Sequence, residues 1–285
     1  MTRLVVSENG NVSKEQVRYA LQVIEETLER LQPHNVQMID VLLFENSSLL
    51  QDYFSREKMR YNISNNFDSE FPAMHDAWRG LPRISLCIER LSRLDDLVAI
   101  GTIRHEVGHS VLHGSLEYYI FQTATELVKI EKQHLLPPEY ARGILYLTAI
   151  AVKDYEVTDL LHNRGYDKDL VAHVKTLLKP SPGDTMAWQL AAGHVMAEAL
   201  CVCGRMKDLM CAAPLIRIKP GLRLEAEMGL SYLGPELSMK VMNVVGELTG
   251  LLKGSTHENV EIALDIICRE LVERVLNQTI HPKHT

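Results

Sequence analysis

The segment with the clearest chemistry is Arg104-His105-Glu106-Val107-Gly108-His109-Ser110-Val111-Leu112-His113-Gly114, which contains His-Glu-x-x-His. On a helix, residues four apart lie ~40° apart around the axis and ~6 Å along it, so the imidazoles of His105 and His109 can reach one ion. Glu106 falls near the same face, where its carboxylate can take a proton from a water polarised by that ion. With 12 histidines in 285 residues, this pattern is expected by accident only ~0.04 times. Ile100, Ile103, Val107 and Val111 form an apolar stripe on the other side of the same helix, as a buried ligand helix requires. Gly108, beside the histidines, leaves room for another backbone. Arg104 faces away from the ligand side and is given no role. Without a metal, the same residues would be two half-buried histidines on an amphipathic helix.

A third ligand has to come from elsewhere. The ring of His113 starts ~12 Å beyond that of His105 on an unbroken helix. One ion with Zn–N distances of ~2.1 Å cannot hold both. His113 is expected instead at the helix C-terminus, where a cation is favoured. Further on, Lys153-Asp154-Tyr155-Glu156-Val157-Thr158-Asp159 follows the uncharged run Gly143 to Val152. Such a run implies an interior helix, and a carboxylate one turn beyond it is costly unless paired or bound to metal. Glu156 continues the row Leu145, Ala149, Val152 and is the preferred ligand, with Asp159 as hydrogen-bond partner of a ligand histidine. Asp154 and Asp159 are alternatives as ligand, and so is a plain acidic cluster at a solvated helix end. Glu126 competes, but Lys129 lies within one turn as an ion-pair partner, and Gln122 and Glu131 give it polar surroundings.

At these residues the sequence resembles the zincin metallopeptidases. The stretch from His105 to Gly114 looks especially like the gluzincin branch and its small intracellular, often prokaryotic, members. The resemblance is specific over His105 to Gly114 and extends in outline over Pro82 to Asn163, as strand, motif helix and later helix. It implies a catalytic zinc bound by His105, His109 and a carboxylate, with water in the fourth position. It also implies Glu106 as general base and hydrolysis of peptide bonds in a peptide or protein substrate. The metzincin pattern does not fit, because its third histidine would fall at Ser115. The gluzincin Glu-x-x-x-Asp pairing would put its acid at Leu160, a departure from the family. The alternative reading is a non-catalytic or single-substrate regulatory zinc protein with a zincin-like fold, and a third is a purely structural helical protein. Zinc itself is a choice by coordination chemistry, since two histidines and a carboxylate also accept Fe, Co or Mn.

The elements that must position these residues are legible in outline. Ser13 to Leu31 reads as a helix, with Ser13 and Gln16 as a capping box and Val17, Leu21, Ile24 and Leu28 at helical spacing. Val36 to Phe44 reads as a strand. Gln51 to Trp78 is polar and reads as a long irregular insertion. Pro82 to Glu89 alternates with period two, placing Ile84, Leu86 and Ile88 on one face and Arg83, Ser85 and Cys87 on the other. Asp95 and Asp96 open the motif helix, which Gly114 closes. Helices then follow over Leu116–His134, Pro137–Asn163, Asp184–Cys203 and Glu258–Leu276, with a loop-rich connection over Lys219–Pro235. The expected fold class is α+β, mostly helical. It comprises a zincin-like small sheet, the motif and ligand helices within residues 1–165, and a helical extension over 166–285, with no linker to exclude one continuous domain.

Composition removes several classes of function. Hydrophobic content of 46% and charged content of 24% are globular values. A net charge of −7 without a basic run argues against nucleic acid. The apolar run Gly143 to Val152 is half of the ~20 residues a membrane helix needs. The first residues, with Arg3 and Glu8, lack the apolar core of a signal peptide. Cys87, Cys201, Cys203, Cys211 and Cys268 are odd in number and read as buried thiols in a reducing, cytoplasmic setting. His194 and Glu198, four apart among small apolar residues, read as an interior pair. Tyr118, Tyr119, Tyr155 and Tyr166 are open candidates for stabilising an oxyanion.

Overall fold

The computed structural model describes residues 2–62 and 71–277. The fold is mostly helical with one small mixed sheet, an α+β arrangement. It divides into two compact units that interleave along the chain, residues 1–119 with 160–173 and residues 120–159 with 174–285. The sequence reading places a single boundary at 165.

The first unit runs β1 (Arg3–Asn9), α1 (Lys14–Arg30), β2 (Met38–Phe44), α2 (Ser47–Tyr61), β3 (Ala73–Asp76), β4 (Arg83–Cys87), α3 (Ile88–Leu91) and α4 (Asp96–Leu112). A 3₁₀ turn over Leu116–Tyr119 follows. The Ser13–Gln16 capping box opens α1 as expected. The sheet order is β1-β2-β4-β3, with β1, β2 and β4 parallel and β3 antiparallel on the edge. Two segments differ from expectation. Residues 3–9 form a strand, because a partly exposed polar segment gains its hydrogen bonds from β2. The supposed irregular insertion holds α2, capped by the Asn46 side chain on the Leu49 N–H, and β3. Residues 63–70 of that segment lie outside the described residues.

Register decides what each face of the sheet carries. His75 pairs with Ile84, which pairs with Val41, so these share a face. On the other face Asp76 pairs with Arg83, and Arg83 with Asp40. There Leu42, Phe44 and Cys87 pack with Leu50 and Phe54 of α2. Arg83 is buried in the same layer. Its two terminal nitrogens grip both oxygens of Glu57 at 2.8 Å, and its Nε donates to Asp76 Oδ2 at 2.8 Å. Burial works against the Arg83 charge, but hydrogen bonding and attraction from Glu57 and Asp76 outweigh it and raise its pKa. β3 is thus clamped on one face and free to present His75 on the other.

In the second unit, α5 (Thr125–His134) is followed by α6 (Pro138–Asn163), which belongs to it as far as Asp159, and by α7 (Lys168–Leu178), which belongs to it from Val174. The remaining elements are α8 (Pro182–Ala191), α9 (Val195–Ile216), α10 (Pro220–Gly229), α11 (Pro235–Leu251), α12 (Thr256–Ile267), a π turn over Cys268–Val272 and α13 (Glu273–Asn277). Three expectations are corrected. The helix expected over Leu116–His134 is a 3₁₀ turn and then α5. The Asp184–Cys203 helix breaks before α9, with Gly193 at φ +82°. The loop expected over Lys219–Pro235 contains α10, which Pro220 opens at a first-turn position proline favours. Glycine stands at 229, the last residue of α10, because a side chain there would collide with the Leu178 carbonyl. No helix among the described residues is long and apolar enough to cross a membrane. All five cysteines are free.

Candidate metal centre

The centre is built on α4. Asp95 and Asp96 place negative charge at its positive end. The helix packs on α1, β3 and β4. Its middle is buried on nearly every side, from Val98 and Ala99 through Thr102 and Ile103 to the run His105–Ser110. This goes beyond the one-sided stripe expected from the sequence, and a helix buried all round is a core element. Gly101 makes one approach possible: a Cβ there would strike the Asp169 carbonyl and stand 2.9 Å from Cβ of His173, so the start of α7 lies directly on the helix.

Helical spacing brings His105 and His109 together as expected. Their Nε2 atoms lie 3.1 Å apart and both rings are buried. Two nitrogens at ~2.05 Å from a tetrahedral zinc stand ~3.3 Å from each other, so the pair fits a metal. Neutral imidazole is also the nitrogen ligand zinc prefers. Glu106, between them, is buried as well.

Three further histidines gather around this pair in the same unit. His75, on β3, lies flat against His109 at 5.7 Å between ring centroids with planes 12° apart. His113 places Nδ1 3.2 Å from Nδ1 of His109. His173, on α7, lies 5.0 Å from the His105 ring. The Thr102 hydroxyl donates to Val98 O at 2.8 Å and touches His173 Nδ1 at 3.1 Å. With its one proton already used, the hydroxyl accepts, so His173 donates from Nδ1 and keeps a lone pair on Nε2. The contacts of His75 and His173 were not legible in the sequence. His75 lay in the segment read as irregular, and His173 is brought to α4 by packing at Gly101. His113 stands at the helix end, as expected, but it is buried against His109.

Arg104, given no role from the sequence, has a structural task. It pairs with Asp169 at 2.7 Å and lies 4.4 Å over the Tyr166 ring, which also carries Arg30 at 4.5 Å. Tyr166 is therefore committed to packing. The Tyr119 hydroxyl accepts from the Ala77 N–H at 2.6 Å, which ties the 3₁₀ turn to the end of β3.

Glu156 belongs to the second unit, on α6. Its Oε2 accepts from the Thr256 hydroxyl at 2.8 Å and its Oε1 from Asn259 Nδ2 at 2.6 Å, both at the start of α12. Glu126 pairs with Lys129 at 3.1 Å, as their spacing implies. Asp154 acts on Lys153, Lys207 and the Cys211 thiol. The interior pair expected of His194 and Glu198 is not formed. His194 is exposed at the start of α9, and Glu198 accepts from the Gly193 N–H at 2.9 Å. Burial pushes the Cys203 thiol up to about 12 and the Cys211 thiol well above its usual value.

Comparison of the chain with protein-family models, with curated proteins and with solved structures finds no match.

Proposed function

We propose that the chain is a zinc-dependent peptidase of zincin type, with its metal held by His105 and His109. The observation that carries this reading is the 3.1 Å convergence of two buried Nε2 atoms with Glu106 between them on one helix. Two histidines leave the third position to a carboxylate, for which the sequence offers Glu156 first and Glu126, Asp154 and Asp159 as alternatives. A zinc ion bound there supplies the positive charge that acidifies water and polarises a peptide carbonyl. His105 and His109 bind as neutral imidazoles through Nε2. Glu106 takes the proton of the attacking water on a carboxylate oxygen and returns it to the nitrogen of the departing amine. The free, buried thiols suit a reducing compartment, which we take to be the cytoplasm.

The burial of His105, Glu106 and His109 favours a second reading, a regulatory zinc protein with a closed site. Both make a testable statement about Glu106. For the peptidase, Glu106→Gln in protein purified without a histidine tag should keep wild-type zinc content and lose ~10²–10⁴-fold in cleavage of a peptide library. Stoichiometric zinc with no cleavage by the wild type would favour the regulatory protein. Absence of bound zinc after incubation with the metal would remove both.

A further inference from the structure

We propose that His113 is a positioning residue of the metal centre: it accepts the hydrogen bond that fixes which nitrogen of His109 faces the ion. The inference rests on the metal reading above. The two ring nitrogens of His109 keep different company. Nε2 faces Nε2 of His105 at 3.1 Å, and Nδ1 faces Nδ1 of His113 at 3.2 Å. A neutral imidazole has one N–H. When Nε2 gives its lone pair to a metal, that proton sits on Nδ1, and the second contact can run only from His109 to His113. His113 then offers a lone pair at Nδ1 and carries its own proton on Nε2.

The local structure holds His113 to this task. It occupies the C-cap of α4, where its backbone N–H donates to His109 O at 2.7 Å. Its ring is 1% exposed and meets the Tyr118 ring edge-on at 5.1 Å. Gly114 follows, and a Cβ there would collide with the Ser110 carbonyl and stand 3.3 Å from Pro82 Cγ, so the chain turns tightly against the residue before β4. The i, i+4 step is thus used twice along one row. His105 and His109 turn Nε2 toward the ion, and His113 stands behind the second. The partner of a metal-bound histidine is often a carboxylate, which adds a negative charge. An uncharged imidazole orients His109 without that charge, leaving more of the metal's charge to act on water.

The test uses a nearly isosteric pair in the full chain. In His113→Asn, Oδ1 occupies the place of the imidazole Nδ1 and can accept. In His113→Leu the shape is similar and nothing accepts. Zinc affinity is read by competition with a chromophoric chelator. The expected result is a ~10–100-fold loss for leucine and at most a few-fold loss for asparagine. Long-range ¹H–¹⁵N spectra of the zinc-loaded wild type should show the proton on Nδ1 of His109 and on Nε2 of His113. That measurement stands even if the leucine variant does not fold. Equal losses for both variants, no loss for either, or a proton on Nε2 of His109 would overturn the role of His113 while leaving the metal site intact. A wild type that takes up no zinc would instead overturn the metal reading, and this role with it.

Discussion

Gly101→Ala should destabilise the protein, and the same substitution at Gly246 should stabilise it. Gly101 lies one turn before His105 on α4 and faces the start of α7. The new Cβ would collide with the Asp169 carbonyl and stand 2.9 Å from Cβ of His173. Carbon atoms rest at ~3.5–4.0 Å, so the two helices must part by ~1 Å. Overpacking of this kind costs ~1–3 kcal/mol. Alanine recovers ~1 kcal/mol over glycine inside a helix, which leaves a net loss of up to ~2 kcal/mol. Gly246 lies exposed within α11 with nothing within 4 Å of a built Cβ, so alanine should add ~0.5–1 kcal/mol there. Equilibrium urea unfolding of the metal-free protein reads both, and the midpoints should move in opposite directions. Zinc affinity gives a second readout. Asp169 holds Arg104 and His173 touches Thr102, so parting α7 from α4 disturbs the turn that leads into His105. A Gly101→Ala midpoint at or above the wild type would refute the steric argument, as would two midpoints moving together.

Arg83→Met should cost ~3–5 kcal/mol at neutral pH, because it leaves the buried Asp76 without its counter-charge and Glu57 with only the exposed Arg79. A loss below ~1 kcal/mol in urea unfolding would mean that the clamp on β3 lies elsewhere. Burial pushes the Asp76 carboxyl up from 3.8 to about 6, only partly opposed by Arg83. Between those values the folded protein keeps a proton that the unfolded chain releases, so stability should fall as pH rises through that window, by ~2–3 kcal/mol. Asp76→Asn should flatten that fall, and an unchanged pH profile would refute the assignment. Glu156→Ala should weaken zinc binding at least ~10–100-fold, whereas Glu126→Ala should change it only a few-fold. Full zinc affinity in the Glu156 variant would remove that residue from the site, and a loss in Asp154→Ala or Asp159→Ala would give the ligand to that residue instead.

What could be read from the sequence was whatever local spacing determines. His105 and His109 converge because four residues make about one helical turn, and Ser13 with Gln16 opens α1 because a capping box closes within three residues. The strand at Arg83–Cys87 likewise shows in its period of two, although both of its faces are buried and Ile88, expected to continue it, opens α3. α2 escaped notice because only Leu50 and Phe54 among its residues are buried, too thin a stripe for periodicity to register. β1 escaped because its order comes from pairing with β2, and no property of Arg3–Asn9 alone requires a strand. The surroundings of His105 and His109 were hidden for the same reason. His75 reaches His109 only through the register of β3 on β4, and His173 reaches His105 only where Gly101 lets α7 approach. Distance along the helix argues against His113 as a ligand beside His105. The same i, i+4 step that joins His105 to His109 nevertheless puts it within hydrogen-bond reach of His109. The row His105, His109, His113 is therefore local, whereas His75 and His173 are brought to it by the packing of the whole unit.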